Sequence, residues 1–253
     1  MMPVFDKYEK QGPYHWGEVS RSLSKHNIFT KARYDTVLNI VNEENPVEVL
    51  DVGCGDGALS YLMSKCGARV VGIDTSPLAL SYARQMTHNC NTELQFVRGS
   101  ALEMPFRDAV FDFVSAIDII EHMEKPEEMV QECKRVLKPG GLVVLSTPQR
   151  LTETPIDPLH IREFYANELA DLLSEYMTEV EVIQSHPIVV AELFWRLRSR
   201  RIVRYAVNFL SIYLKKNPFK SRRLGKFYVM LAARGRKPVE NTLPISEQAW
   251  CKK

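Results

Sequence analysis

The stretch VEVLDVGCGDGALS, residues 47–60, limits what this chain can fold into more than any other. An apolar run (Val47, Val49, Leu50, Val52) ends in a loop with Gly53, Gly55 and Gly57, and a helix-forming segment opens at Ala58. That is a strand, a tight turn and a helix. Glycines so closely spaced let the backbone approach a flat or extended ligand. Asp51 puts a carboxylate at the strand's end. A dinucleotide fingerprint reads G-x-G-x-x-G. Here the spacing is G-x-G-x-G, and Asp51 and Asp56 would repel a pyrophosphate. A ligand with a cationic amino-acid tail and no phosphate suits the loop better. A bare glycine turn is the plainer reading, but the residues downstream side with a ligand.

After the loop the chain alternates short apolar runs with helical patterns. Strands are expected at 69–73, 94–97, 111–117, 142–147, 179–184 and 226–234. Helices are expected at 31–42, 58–66, 77–88, 127–137 and 166–175, with a turn at 138–141. Ser76 caps the third of these helices, and Pro77 fits its first turn. Alternation of this kind argues a parallel sheet with right-handed crossovers. Asp74 ends the second strand about 20 positions past the loop, placed to accept hydrogen bonds from ribose hydroxyls. Residues 1–30 carry Tyr8, Tyr14, His15 and Trp16 and form a cap ahead of the first strand.

Three segments share one resemblance: D-x-G-x-G-x-G at 51–57, GSALEMPF at 99–106 and RVLKPGGLVVLSTP at 135–148. Over roughly residues 32–185 the chain resembles the class I S-adenosylmethionine-dependent methyltransferases. The resemblance implies an α/β, Rossmann-like fold: a seven-stranded, mostly parallel sheet of order 3-2-1-4-5-7-6 with an antiparallel last strand, flanked by helices. It makes residues 1–240 one domain, with the cap at 1–30, a helical insertion at 191–225 between strands six and seven, and a flexible tail at 241–253. It also implies S-adenosylmethionine as cofactor, held by Asp51, Gly53, Cys54, Gly55, Asp74, Thr75, Ser100, Ala101 and Ile117. Ser100 stands where the family usually has an acid facing the adenine amino group.

The segment AIDIIEHM, 116–123, follows strand four, at the ligand-binding edge of such a sheet. On one helical turn Asp118, Glu121 and His122 would share a face. Two carboxylates and an imidazole there can hold a divalent cation such as magnesium. His160, in DPLHIREF, could add a ligand. The combination resembles the ubiquinone-biosynthesis O-methyltransferases and the small-RNA 2′-O-methyltransferases. The catalytic candidates are Asp118, His122 and His160, and the metal candidates are Asp118, Glu121, His122 and His160. A cation would lower the pKa of an acceptor hydroxyl. His122 or His160 could instead act as a general base without metal. Tyr14, His15 and Trp16 are candidates to close over the substrate, or they simply pack the cap.

The net charge of +2 hides an asymmetry. Residues 191–237 hold 14 Lys and Arg against one acid, Glu192, whereas the rest of the chain holds 19 basic and 30 acidic residues. Helical spacing over 191–214 puts Phe194, Ile202, Ala206, Phe209 and Tyr213 on one stripe, expected to pack on the core or on a second subunit. The charge points to an anionic partner: a membrane surface, a phosphorylated substrate or, ranked lower, nucleic acid. The oligomeric state is left open. The five scattered cysteines suggest neither a zinc cluster nor a disulfide framework. The start of the chain lacks a signal-peptide core, so a cytoplasmic protein, or one peripheral at a membrane, is expected. The function expected is O-methylation of a hydroxyl on a small polar or lipid-linked acceptor, a sugar or a phenol. The alternatives are an RNA 2′-O-methyltransferase and a non-catalytic cofactor-binding or assembly protein.

Overall fold

The computed structural model describes residues 7–92, 94–155, 157–197, 200–220 and 227–239. The cap contains α1 (Lys7–Gln11) and α2 (Tyr14–Val19), and α3 (Ile28–Glu44) leads into the sheet. The Asn27 side chain accepts from Phe29 N, and Asn45, in the left-handed region at φ 47°, ends α3 just before Pro46. Then follow β1 (Glu48–Val52), α4 (Ala58–Ser64), β2 (Arg69–Asp74), α5 (Pro77–Asn89), β3 (Gln95–Arg98) and β4 (Phe111–Ile117). A short 3-10 turn (Ile120–His122), α6 (Pro126–Val136), β5 (Leu137–Pro148), α7 (Ala166–Ser174) and β6 (Thr178–Pro187) complete the alternating part. Ser76 caps α5 as expected, accepting from Ala79 N. The last elements are α8 (Ile188–Leu197), α9 (Arg201–Tyr213), a 3-10 turn (Pro218–Lys220) and β7 (Tyr228–Arg236).

The sheet order is β3-β2-β1-β4-β5-β7-β6, with β7 antiparallel to both neighbours. This is the order the resemblance implied. Central strands buried on both faces read as near-continuous apolar runs. Val49, Phe113 and Val144 point to the α3–α4 side, while Leu50, Val114 and Val143 point to the α6–α7 side.

Three expectations need correction. The segment 138–141 is not a separate turn. It is the irregular opening of β5, which pairs Leu137 with Phe111 and then shifts register to pair Leu142 with Phe113. The basic insertion is two helices rather than one, α9 beginning after Arg200, whose backbone is extended. Of its apolar stripe only Phe194 packs on the core, against Phe219, whereas Ile202 is 84% exposed and Phe209 and Tyr213 are exposed as well. The inward side of α9 is mixed: Val207 packs on the core beside polar groups. Asn208 is buried and donates to the Leu23 and His26 carbonyls (2.8 and 2.9 Å), and the Ser211 hydroxyl meets His26 Nε2 at 3.1 Å. The charge of this region is also partly answered by acids from elsewhere. Arg234 pairs with Glu181, Arg236 with Glu44 and Glu179, and Lys220 with Asp35, while Arg196 pairs with the region's own acid, Glu192. The tail at 241–253 and Lys226 lie outside the described residues; Phe227 is not in a strand, and β7 runs from Tyr228 to Arg236.

Candidate active site

The carboxyl edge of the sheet opens into a cavity of about 1030 Å³. One end is built by the glycine loop. Gly53 and Gly55 have φ of 68° and 54°, in the region that glycine adopts without cost. Neither position has room for a side chain. A Cβ on Gly53 would lie 2.4 Å from Ile119 Cγ2, and one on Gly55 would lie 2.0 Å from the Tyr8 hydroxyl. The loop is held against β2: Gly53 N and Cys54 N donate to the Ile73 carbonyl (2.8 and 3.0 Å), and Gly55 N donates to Asp74 Oδ2 at 2.9 Å.

Asp74 also accepts from Ser76 N, one hydrogen bond per oxygen, which leaves capacity for hydroxyl donors. Asp51 is buried and accepts from the Ser60 and Ser115 hydroxyls (2.6 and 2.8 Å). Its burial pushes the carboxyl up to about 6. Cys54, Thr75, Ser100, Ala101 and Ile117 line the same end. The Ser100 hydroxyl is partly spent on Leu102 N, from which it accepts at 3.1 Å.

The cap closes over this loop through Asp56, which the sequence singled out only as a second acid. Asp56 is buried; its carboxylate accepts from His15 N at 3.0 Å and its carbonyl accepts from Trp16 Nε1 at 2.7 Å. Tyr14 and His15 line the cavity, with ring centroids 4.0 Å apart. Trp16 does not line it. Its ring lies 4.9 Å from that of Tyr61, so it packs the cap onto α4. Tyr8 joins Tyr14 and His15 in the lining.

The other end of the cavity gathers Glu121, His122 and His160, whose ligating atoms lie within 4.8 Å of one another. The 157–161 loop is brought there by main-chain bonds: Ile161 N donates to the Glu121 carbonyl at 2.8 Å. His122 Nδ1 meets the Leu159 carbonyl at 2.9 Å, and His160 Nδ1 meets Glu163 Oε1 at 2.8 Å. Both imidazoles thus use Nδ1 in support, leaving Nε2 as the second ring nitrogen. Glu121 is buried, and its Oε2 has no hydrogen-bond partner. Burial pushes its carboxyl up to about 7. Burial also lowers the His122 pKa, favouring the neutral ring that a metal requires.

Asp118 does not join this group. The expected helical turn does not form, because Asp118 sits at φ 56° and only Ile120–His122 is helical. Asp118 instead accepts from the Ser146 hydroxyl at 2.8 Å and pairs with Arg33. Arg33 is the residue that sequence reasoning missed. It lies on α3 among the buried positions Thr30, Tyr34 and Val37, and its Nε is buried without a partner. A lone cation on an apolar stripe was the available signal. From α8, Phe194 and Trp195 complete the lining.

A Rossmann-like sheet of this order, a glycine loop at the end of β1 and acids at the ends of β1 and β2 define a class I S-adenosylmethionine-dependent methyltransferase fold. Comparison with known sequences agrees: residues 50–145 match the family described as "Methyltransferase domain". The match and the sheet order together give residues 50–145 the character of a methyltransferase domain. It is 36% identical over 139 residues to a probable S-adenosylmethionine-dependent methyltransferase of Mycolicibacterium smegmatis, covering 53% of this chain and 52% of that one. It is 41% identical over 148 residues to a ubiquinone biosynthesis O-methyltransferase of Pseudomonas fluorescens, covering 57% and 62%. The chain thus spans about half the length of the curated relatives it matches. Among solved structures, phosphoethanolamine N-methyltransferase 2 of Haemonchus contortus, in complex with S-adenosyl-L-methionine, has the same fold. The TM-score is 0.65 at 18% identity, covering 92% of this chain and 58% of that one.

Proposed function

We propose that this chain transfers the methyl group of S-adenosylmethionine to a hydroxyl oxygen of a small polar or lipid-linked acceptor, a sugar or a phenol, assisted by a divalent cation. The observation that carries the oxygen-and-cation part is the buried, unpartnered Glu121 Oε2 beside two imidazoles whose Nδ1 atoms are already engaged. An unpaired buried carboxylate oxygen is costly unless something positive meets it. A histidine that supports itself through one nitrogen is oriented to ligate through the other. Glu121, His122 and His160 would hold the cation, with Glu163 and the Leu159 carbonyl fixing the rings. The two imidazoles favour a transition ion over magnesium.

At the other end, the reading gives Asp74 the ribose, Ala101 and Leu102 the adenine, and Arg33 together with the cap the amino-acid tail. The bound cofactor supplies a methyl group on an already activated sulfonium, so the protein's part is to place the acceptor oxygen in line with it. A cation there lowers the pKa of a sugar hydroxyl or phenol. Tyr14 and His15 exclude water above the reacting centre.

The test is labelled methyl transfer to phenolic, sugar and lipid-extract acceptors, with and without chelator, alongside calorimetry of cofactor binding. The expected result is transfer that the chelator stops while cofactor binding persists. Full transfer in chelator would remove the cation and leave His122 or His160 as a general base. Tight cofactor binding with no transfer to any fraction, RNA included, would favour a non-catalytic role.

A further inference from the structure

The helix α9 turns only part of its apolar surface inward, Val207 packing against the cluster around Phe219, and leaves the larger part outside. Its polar side chains Asn208 and Ser211 face the body of the protein, anchored to Leu23 and His26. Its exposed arc consists of Ile202, Tyr205, Phe209, Leu210, Tyr213 and Leu214. Exposing so many large apolar groups on one helix marks a surface that something covers. The ends of the helix say what. Arg200 and Arg201 stand at its start, Lys215 and Lys216 just past its end, all exposed and none in an ion pair among the described residues.

A second copy of the chain is a poor occupant. Both ends of α9 are basic, so two such helices packed face to face bring cation against cation in either direction. RNA is a poorer occupant: Tyr205, Phe209 and Tyr213 could stack bases, but Ile202, Leu210 and Leu214 lie among them and the cations stand only at the two ends, not along a track that a phosphate backbone could follow. An apolar arc with interfacial tyrosines and a cation pair at each end matches the boundary between acyl chains and anionic headgroups.

We propose that α9 docks this protein on an anionic membrane surface, with its apolar arc among the acyl chains and Arg200, Arg201, Lys215 and Lys216 on lipid phosphates. The docked helix follows α8 directly, and α8 carries the exposed Val189 and Leu193 together with Trp195, which lines the mouth of the active-site cavity. The surface stands on its own observations and does not depend on the chemistry of the cavity.

Flotation of the full chain with vesicles tests it. The protein is expected to float with phosphatidylglycerol–phosphatidylcholine vesicles at low salt and to stay behind with pure phosphatidylcholine. About 0.5 M sodium chloride should release most of it, since that concentration screens charges beyond a few ångströms. The double variant Ile202→Asp/Phe209→Asp, and separately Arg200→Glu/Arg201→Glu, should each weaken flotation by ~10-fold or more. Both pairs are exposed, so an unchanged melting temperature shows that the fold survives. No flotation of the native protein at low salt overturns the proposal. So does native-level flotation of the Asp double variant, or a native dimer in light scattering that the Asp variant dissociates.

Discussion

Arg33, from α3, and Asp118, just past the end of β4, are joined by a charge-assisted hydrogen bond at the point where the two ends of the cavity meet. The guanidinium is largely buried, and burial lowers its pKa against the opposing pull of Glu18 and Glu121, with Asp118 as its direct ion-pair partner. Removing one partner leaves an uncompensated charge, which costs far more than the pair itself contributes. Asp118→Ala is therefore expected to destabilise the protein by ~3 kcal/mol in chemical denaturation, and Arg33→Met/Asp118→Ala to recover a good part of that. Additive losses in the double variant would show that the two side chains are not coupled.

Glu121 makes stability depend on pH in a stated direction. Its folded pKa of about 7 lies above the ordinary value of 4.5, so between those values the folded protein keeps a proton that the unfolded chain has released. The contribution of the protonated group is fully present below the ordinary value and is lost as pH rises through the folded one. In chelator, Glu121→Gln should be more stable than the native protein near pH 8, by roughly 1–3 kcal/mol. The advantage should shrink as pH falls from about 7 towards 4.5 and be small below that. An equal difference at both pH values would exclude ionisation of Glu121 as the cause.

If Glu121, His122 and His160 hold a cation, then adding manganese or zinc to stripped protein should raise its melting temperature. The gain should approach ~2.7 kcal/mol when the ion is at about 100 times its dissociation constant. His160→Ala should abolish the gain. Glu163→Gln, which only loosens the support of His160, should weaken ion affinity by ~10- to 100-fold while keeping the site. Equal ion-induced stabilisation of the native protein and His160→Ala would place any bound ion elsewhere.

Gly55 combines a left-handed backbone with a missing side-chain volume. Gly55→Ala should cost ~1–2 kcal/mol of stability from the backbone alone. It should also displace Tyr8 and weaken cofactor binding in calorimetry. Unchanged cofactor affinity in a folded Gly55→Ala protein would mean that the cap moves aside freely.

The sheet was legible because buried parallel strands leave near-continuous apolar runs, and because the glycine loop and Asp74 mark the ends of β1 and β2. The rotation of α9 was not legible. Helical spacing shows which residues share a face but not which face turns inward. That choice was made by Asn208 finding the carbonyls of Leu23 and His26, 185 and 182 residues away. Asp118 was misplaced for a local reason: its φ of 56° bends the chain before the helical turn begins, and spacing along a sequence carries no sign of such a bend. Glu121, His122 and His160 were visible as residue types. That Glu121 Oε2 would lack a hydrogen-bond partner follows only from the packing around it.

The Tyr8 hydroxyl fills the space where a side chain on residue 55 would begin. Two positions far apart in the chain therefore answer to a single volume. In any descendant of this sequence that keeps the cap closed, a larger residue at 55 demands a smaller one at 8. Descendants in which residue 55 has grown while residue 8 is unchanged should be rare.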